Sequence, residues 1–232
     1  MRIVCLMHVP FEGPGAIAEW AAARGHSLAR VDAWRGEFPD PTEFDLLVVL
    51  GGPMSADDTL RHPWLVEEKA FIGRCVAGGV LTLGICLGAQ LLAEAVAGSV
   101  RRAAEPEIGW FPVSLHPGAF GVPYFSGWPE TFIAGHWHGD TFDLPEGTET
   151  VASSAITPNQ AFVAADGRAV GLQYHLEWTR EVLRALTMAD PEDLVQRGSW
   201  IMTAESLLED PERFATDRAL LYRMLDRMED LA

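Results

Sequence analysis

A chain of 232 residues with 48% hydrophobic and 22% charged residues has the composition of one folded domain, with room for a helical appendage. Its formal net charge of −16 argues against nucleic acid as a partner, because phosphate binding needs clustered Lys and Arg. No apolar run approaches the roughly 18 residues of a membrane span, and three cysteines without a spaced framework suit a reducing compartment. These features predict a cytoplasmic protein with no membrane partner.

Apolar strands and helices alternate through the first hundred residues. This order is typical of βαβ units and predicts an α/β fold with an open, mostly parallel central sheet and helices on both faces. The predicted strands cover 2–9, 27–34, 44–52 and 80–85, and the predicted helices cover 15–25, 63–79 and 87–98.

The pattern changes after about residue 99. Short strands separated by turn residues predict an antiparallel or mixed extension of the sheet, at 109–117, 131–137, 149–155, 160–165 and 169–175. Helices are predicted at 179–188, 193–210 and 213–231, and the apolar spacing of the last one predicts packing on the core. We therefore expect a main domain of residues 1–190 and a C-terminal helical extension, 191–232, packed on it.

The segment Gly84-Ile85-Cys86-Leu87-Gly88 joins a buried strand to a helix. A sharp strand-to-helix turn needs glycine two residues on either side of a nucleophile, because a Cβ atom there would clash. The turn would expose the Cys86 thiol above the carboxyl ends of the strands, where open α/β sheets bind ligands. A helix N-terminus also favours the nucleophilic thiolate. Cys86 is therefore the predicted nucleophile, whereas Cys5 and Cys75 are expected in the core.

Two further segments supply partners for this nucleophile. The Gly51-Gly52-Pro53 loop ends a strand and can direct backbone N–H groups at an oxyanion, with Gly52 and Leu87 as the predicted donors. His175 and Glu177 lie two residues apart at a predicted strand end, so both side chains point to one side. Glu177 could then orient His175 while the imidazole accepts the thiol proton.

The segment His136-Trp137-His138-Gly139-Asp140 has the look of a metal-binding pair. No third ligand cluster of suitable spacing accompanies it, so we predict neither a metal nor another cofactor. A loop that lines the substrate site is the favoured interpretation.

Three motifs in order resemble those of the class I glutamine amidotransferases: GGPMS at 51–55, GICLGAQ at 84–90 and QYHLEW at 173–178. The resemblance implies Cys86 as nucleophile, His175 as base and Glu177 as its partner, with a thioester intermediate and release of ammonia. It also implies that Gln90 lies near the substrate amide. The HGD at 138–140 resembles the loop that helps to hold the glutamine backbone, which adds His138, Gly139 and Asp140 as substrate-binding residues.

The sequence departs from this family in two respects. Leu176 stands where most members have proline between the His and the Glu, which should change the local turn more than the chemistry. Only about fifty residues follow the last motif, too few for a nucleotide-activating synthase domain. The chain thus resembles the free-standing members, which are similar to the glutaminase half of GMP synthase.

Three functions fit these residues. The first is a glutaminase or amidotransferase that hands ammonia to a separate synthase or acceptor, and the second is a stand-alone γ-glutamyl peptidase or amidase on a small metabolite. The third is a non-catalytic cysteine-elbow protein of the DJ-1/PfpI type. The intact His-x-Glu pair and the Gly-Gly loop argue against the third.

Overall fold

A nine-stranded mixed sheet forms the centre of the computed structural model, which describes residues 1–148, 150–196 and 198–232. The strand order is β2-β1-β3-β4-β9-β8-β7-β5-β6, and the first five strands of this order are parallel. The remaining strands pair antiparallel and extend the sheet. The bounds are β1 Arg2–Met7, β2 Ser27–Asp32, β3 Leu46–Val49, β4 Leu81–Ile85, β5 Ser99–Leu115, β6 Thr131–Asp143, β7 Thr150–Ser153, β8 Ala161–Ala164 and β9 Ala169–Leu172.

Helices cover both faces of the sheet. Strand β1 shows this directly, because its alternate residues Cys5 and Leu6 belong to two different apolar clusters. One cluster contains residues of α1 and α7, and the other contains residues of α2 and α3. The predicted α/β fold is therefore confirmed. The helices are α1 Gly15–Arg24, α2 Trp64–Ala77, α3 Leu87–Ala95, α4 Arg180–Ala189, α5 Pro191–Val195, α6 Ala204–Glu209 and α7 Pro211–Glu229.

Among the described residues, no helix combines the length and the apolar character that crossing a bilayer would require.

The predicted helix at 193–210 is wrong as a single element. Helix α5 ends at Val195, α6 begins at Ala204, and residues 200–202 pair with Ile108 of β5. The N–H of Ile108 in β5 donates to the Trp200 carbonyl at 2.8 Å, and the Ile108 carbonyl accepts from the Met202 N–H at 2.8 Å. Pairing with a strand edge thus replaces the intrahelical hydrogen bonds.

The strand predicted at 169–175 is too long. Strand β9 ends at Leu172, and His175 makes only an isolated bridge to Gly135 of β6. His175 and Glu177 therefore do not share a side through regular strand alternation. Glu149, in the strand predicted at 149–155, and Arg197, in the helix predicted at 193–210, lie outside the described residues.

Candidate active site

Cys86 occupies a strained turn between β4 and α3. Its φ of 52° is a positive value that few non-glycine residues adopt, with a ψ of −110°. A Cβ atom on Gly84 would collide with the Gly88 carbonyl, and one on Gly88 would collide with the Val49 carbonyl. The turn therefore requires the glycine spacing found in the sequence. Strain of this kind is held in place where function needs it.

The Cys86 thiol points from the first turn of α3 into a cavity. Cys86 is only 6% exposed, yet it lines the cavity. Its Sγ atom lies 3.5 Å from the carbonyl oxygen of Trp137. The backbone N–H of Cys86 donates to the Leu172 carbonyl at 2.8 Å, which ties the turn to the end of β9. The sulfur thus lies at the carboxyl ends of β4 and β9.

His175 and Glu177 form a buried pair beside this thiol. His175 Nδ1 lies 2.7 Å from Glu177 Oε1, and both residues are 1% exposed. Burial opposes an imidazolium, but the Glu177 charge, the neighbouring Cys86 side chain and the hydrogen bond to Glu177 raise the pKa of His175 well above 6.5. The imidazole can therefore accept and hold a proton from the thiol.

Leu176 adds a contact that proline could not make. Its backbone N–H donates to Glu177 Oε2 at 3.0 Å, while Oε1 binds His175. Proline has no N–H, so this second anchor depends on the presence of a residue other than proline at position 176. Both oxygens of the carboxylate are then held.

The backbone of the His-x-Glu segment is anchored at both ends. The His175 N–H donates to the Gly135 carbonyl at 2.7 Å, and the Glu177 carbonyl accepts from the Ala16 N–H at 2.8 Å. A Cβ atom on Gly15, whose φ is +46°, would collide with that carbonyl. The ring of Trp178 stacks on His175 with centroids 4.2 Å apart and planes 16° apart. Together these contacts orient the imidazole.

The Gly51-Gly52 loop is held from behind by a buried histidine. Nδ1 of His8 lies 2.7 Å from the Gly51 carbonyl oxygen, and Nε2 lies 2.9 Å from Glu68 Oε1. Burial disfavours the charge on His8, but the Glu68 carboxylate raises its pKa above 6.5. The carbonyl of Gly51 and the N–H of Gly52 belong to one planar peptide and point in opposite directions. The bond from His8 therefore directs the Gly52 N–H away from Glu68.

The predicted substrate-binding residues line one cavity with Cys86 and His175. The cavity has a volume of about 480 Å³, within the range of pockets that enclose small-molecule ligands. Gln90, His138, Gly139 and Asp140 all contribute to its wall, as do the predicted oxyanion donors Gly52 and Leu87. Gln90 Nε2 donates to the Asp140 carbonyl at 3.2 Å, so α3 and β6 are joined across the wall.

The two histidines of the HWH segment have a third neighbour. Glu107 pairs with His138 in the β5–β6 register, and their Oε2 and Nε2 atoms lie 3.2 Å apart. The possible ligand atoms of Glu107, His136 and His138 all lie within 4.8 Å of one another. The sequence argument found no third ligand because strand register, not spacing, brings Glu107 to this position.

Glu107 is already engaged without an ion. Ser154 and Gln160 donate to its two carboxylate oxygens at 2.6 and 2.8 Å. Burial opposes its charge, but the hydrogen bond from His138, with further contacts, lowers the pKa of Glu107 to about 2. Burial lowers the pKa of His136 to about 3, so that ring is neutral. A hydrogen-bonded carboxylate beside a neutral histidine accounts for this cluster.

Several residues of the cavity are not among the residues predicted from the sequence. Glu12 follows β1, and Asp190 and Asp193 follow α4, yet all three line the cavity. Asp193 accepts a hydrogen bond from Trp137 Nε1 at 2.9 Å, which links the C-terminal extension to β6. The available signal was that His8 and Glu12 interrupt an apolar first strand.

Comparison with known proteins identifies the family of this chain. The family model "Glutamine amidotransferase class-I" matches residues 19–189. The glutamine amidotransferase-like protein YfeJ of Salmonella typhimurium is 32% identical over 199 residues, 84% of this chain and 83% of that protein. The GMP synthase [glutamine-hydrolyzing] of Thermomicrobium roseum is 34% identical over 184 residues, 75% of this chain but only 32% of that protein.

Solved structures are similar along nearly the whole chain. A glutamine amidotransferase from Thermotoga maritima has a TM-score of 0.88 and 32% identity, covering 98% of this chain and 97% of that one. A glutamine amido transferase from Methylobacillus flagellatus has a TM-score of 0.90 and 28% identity, covering 99% and 94%. The similarity therefore includes the C-terminal helices.

Proposed function

Because the chain belongs to the class I glutamine amidotransferase family, we propose that it hydrolyses the side-chain amide of glutamine through a thioester on Cys86. One observation carries the proposal: the strained Cys86 thiol and the buried His175–Glu177 pair face the same cavity. Ammonia would pass to a separate acceptor.

The proposed mechanism uses the side chains in fixed roles. His175 accepts the thiol proton, and Cys86 Sγ attacks the amide carbon to form a tetrahedral oxyanion. The Gly52 and Leu87 N–H groups would stabilise this charge; Leu87 is the first residue of α3, where N–H groups lack intrahelical partners. His175 then gives its proton to the leaving nitrogen, the C–N bond breaks, and ammonia departs. Water, deprotonated by His175, cleaves the thioester to glutamate and the free thiol.

The elevated pKa of His175 supports this scheme. An imidazole that holds a proton tightly beside a thiol favours the thiolate–imidazolium pair, and the thiolate is the attacking species. Glu177 stabilises the imidazolium and does not touch the substrate. Gln90, His138, Gly139 and Asp140 would bind the glutamyl half of the substrate.

A γ-glutamyl amidase acting alone is the second candidate. The same residues would cleave any γ-glutamyl amide, and a cavity of about 480 Å³ leaves room for a leaving group larger than ammonia. The chain matches only about a third of the length of the GMP synthase relative. We therefore propose a separate synthase or acceptor protein as the partner in the glutaminase reaction. We further propose a cytoplasmic location, in keeping with its three free thiols.

Ammonia and glutamate release, measured across glutamine and γ-glutamyl amides, tests both candidates. We expect Cys86→Ser and His175→Ala to abolish turnover and labelling by a glutamine-analogue electrophile. Cys75→Ser is the matched control, because burial raises the pKa of that thiol to about 12 and keeps it unreactive. Turnover should survive EDTA, since no metal is proposed. Release of glutamate from γ-glutamyl peptides without ammonia from glutamine would overturn the glutaminase proposal.

A further inference from the structure

Glu12 is a buried carboxyl group that the proposed reaction does not use. It is 4% exposed and lines the cavity that contains Cys86 and His175. A Cβ atom built on Gly51 would collide with Glu12 Oε1 and lie 3.1 Å from His175 Cε1, so the carboxyl group and the imidazole meet across this glycine. Within residues 1–148, 150–196 and 198–232, the Glu12 side chain makes no hydrogen bond.

The cations near Glu12 already have carboxylate partners. His175 is bonded to Glu177, and the other nearby imidazole, His8, is bonded to Glu68. The guanidinium groups that line the cavity are also paired, Arg61 with Asp58 and Arg102 with Asp140.

Further acidic groups stand on the same wall. Asp190 and Asp193 line the cavity beyond α4, and Asp190 is close enough to Glu12 to affect its ionisation. In the part of the chain that is described, Asp193 accepts hydrogen bonds from Trp137 and Gln196, and neither aspartate forms an ion pair with Lys, Arg or His. The wall of Glu12, Asp190 and Asp193 therefore presents carboxyl groups that have no cationic side chain as an ion-pair partner among the described residues.

A carboxyl group in this position is costly to keep. Burial raises the pKa of Glu12 to about 7, so ionisation at neutral pH is paid for in stability. Glutamine would fill the same space without that cost. Groups held at a cost of this kind cluster at functional sites.

We propose that Glu12, with Asp190 and Asp193, forms a subsite for an alkylammonium group on the leaving half of the substrate. The imidazole beside Glu12 delivers the proton to the leaving nitrogen, so a substituent on that nitrogen extends toward this wall. The substrate class is a γ-glutamyl amide whose amine half carries a second, cationic amine. This inference rests on the proposed function and selects the γ-glutamyl amidase within it.

A matched series of leaving groups tests the subsite. The γ-glutamyl monoamide of 1,4-diaminobutane ends in an ammonium group, the amide of pentylamine ends in a methyl group, and that of 5-aminopentanoate ends in a carboxylate. We expect kcat/KM for the ammonium compound to exceed that for the pentyl compound by about 10- to 100-fold, the range of a charge-assisted hydrogen bond. The carboxylate compound should be the poorest of the three.

Glu12→Gln should bring the ammonium-to-pentyl ratio to within about threefold of unity. Glu37→Gln, the same change at an exposed position outside the cavity, should keep the wild-type ratio. A wild-type ratio near unity, or a ratio that Glu12→Gln leaves unchanged, overturns the proposal. The proposal is also overturned if Glu12→Gln changes only the preference for γ-glutamyl pentylamide over glutaryl pentylamide, which lacks the α-ammonium group. Glu12 would then bind the α-ammonium group of the glutamyl half.

Calorimetry separates failure of the subsite from failure of the proposed function. Titration of 1,4-diaminobutane into Cys86→Ser protein requires no turnover, and binding should disappear in Cys86→Ser/Glu12→Gln protein. If glutamine and all three amides resist hydrolysis, the proposed function fails, and the titration alone decides the subsite. If the pentyl compound is hydrolysed but the diamine neither binds nor favours turnover, only the subsite fails.

Discussion

Replacing His8 by glutamine is expected to lower kcat while leaving the fold intact. His8 makes two buried contacts, through Nδ1 to the Gly51 carbonyl at 2.7 Å and through Nε2 to Glu68 at 2.9 Å. A glutamine amide nitrogen reaches roughly the position of Nε2, whereas an asparagine amide nitrogen reaches that of Nδ1. His8→Gln therefore keeps the contact with Glu68 and loses the one with Gly51, and His8→Asn does the reverse.

The size of the effect follows from the peptide that His8 holds. Loss of its bond to the Gly51 carbonyl lets that peptide turn, and the Gly52 N–H turns with it. Complete removal of an oxyanion donor costs about 100- to 1000-fold in kcat. A donor that is present but no longer directed should cost less, about 10- to 100-fold, with little change in KM because the interaction forms in the transition state.

Steady-state kinetics and thermal unfolding on the two variants form the assay. Both variants remove the imidazole charge beside Glu68, so the two are compared with each other. His8→Asn should retain kcat within about threefold, yet be less stable than His8→Gln by about 1–3 kcal/mol, because fully buried Glu68 then also lacks its hydrogen-bond donor. His8→Gln should show the opposite pattern. If kcat instead follows stability through both variants, His8 is only a packing residue and the argument from the peptide plane is wrong.

Three further predictions concern the cavity and the turn beneath it. Folded Glu12 keeps its proton to about pH 7 while the unfolded chain releases it near 4.5, so about 3 kcal/mol of stability is lost as pH rises between these values. The melting temperature of Glu12→Gln relative to wild type should thus rise from pH 5 to pH 8, and a constant difference would contradict the assigned burial. Gly88→Ala should lower the free energy of unfolding, measured in urea, by at least about 2–3 kcal/mol. Gly73→Ala, at an open position in a helix, should raise it by about 0.5–1 kcal/mol. Equal effects of the two substitutions would refute the close approach at the turn. Glu177→Gln should lower kcat by about 10- to 100-fold, less than removal of the nucleophile or the base, and equal losses would argue against an orienting role.

Local patterns in the sequence were sufficient for the fold class and for the turn at Cys86. Apolar runs of strand length, each followed by an amphipathic helix, specify parallel βαβ units because both periodicities arise within a few residues. The same holds for Gly84 and Gly88, since the collisions that require glycine involve the turn itself and the neighbouring strand. The family resemblance rested on three such local motifs, and the match over residues 19–189 confirms it.

Residues far apart in the sequence decided the rest. Glu68 contacts His8 across 60 positions, and Glu107 reaches His138 only through the β5–β6 register. The helix predicted at 193–210 was wrong because its middle pairs with β5, a competing partner that helical periodicity cannot reveal.

The sequence of each segment carries its local preferences, and these preferences determined which elements form and at which turn the thiol lies. Only the tertiary structure decided which buried polar groups find partners. An unpaired charge is costly when it is buried. Whether a buried group lies within hydrogen-bond distance of a partner is decided only when the strands pair in register. Glu12, buried against the His175 imidazole without a hydrogen bond among the described residues, is the clearest example.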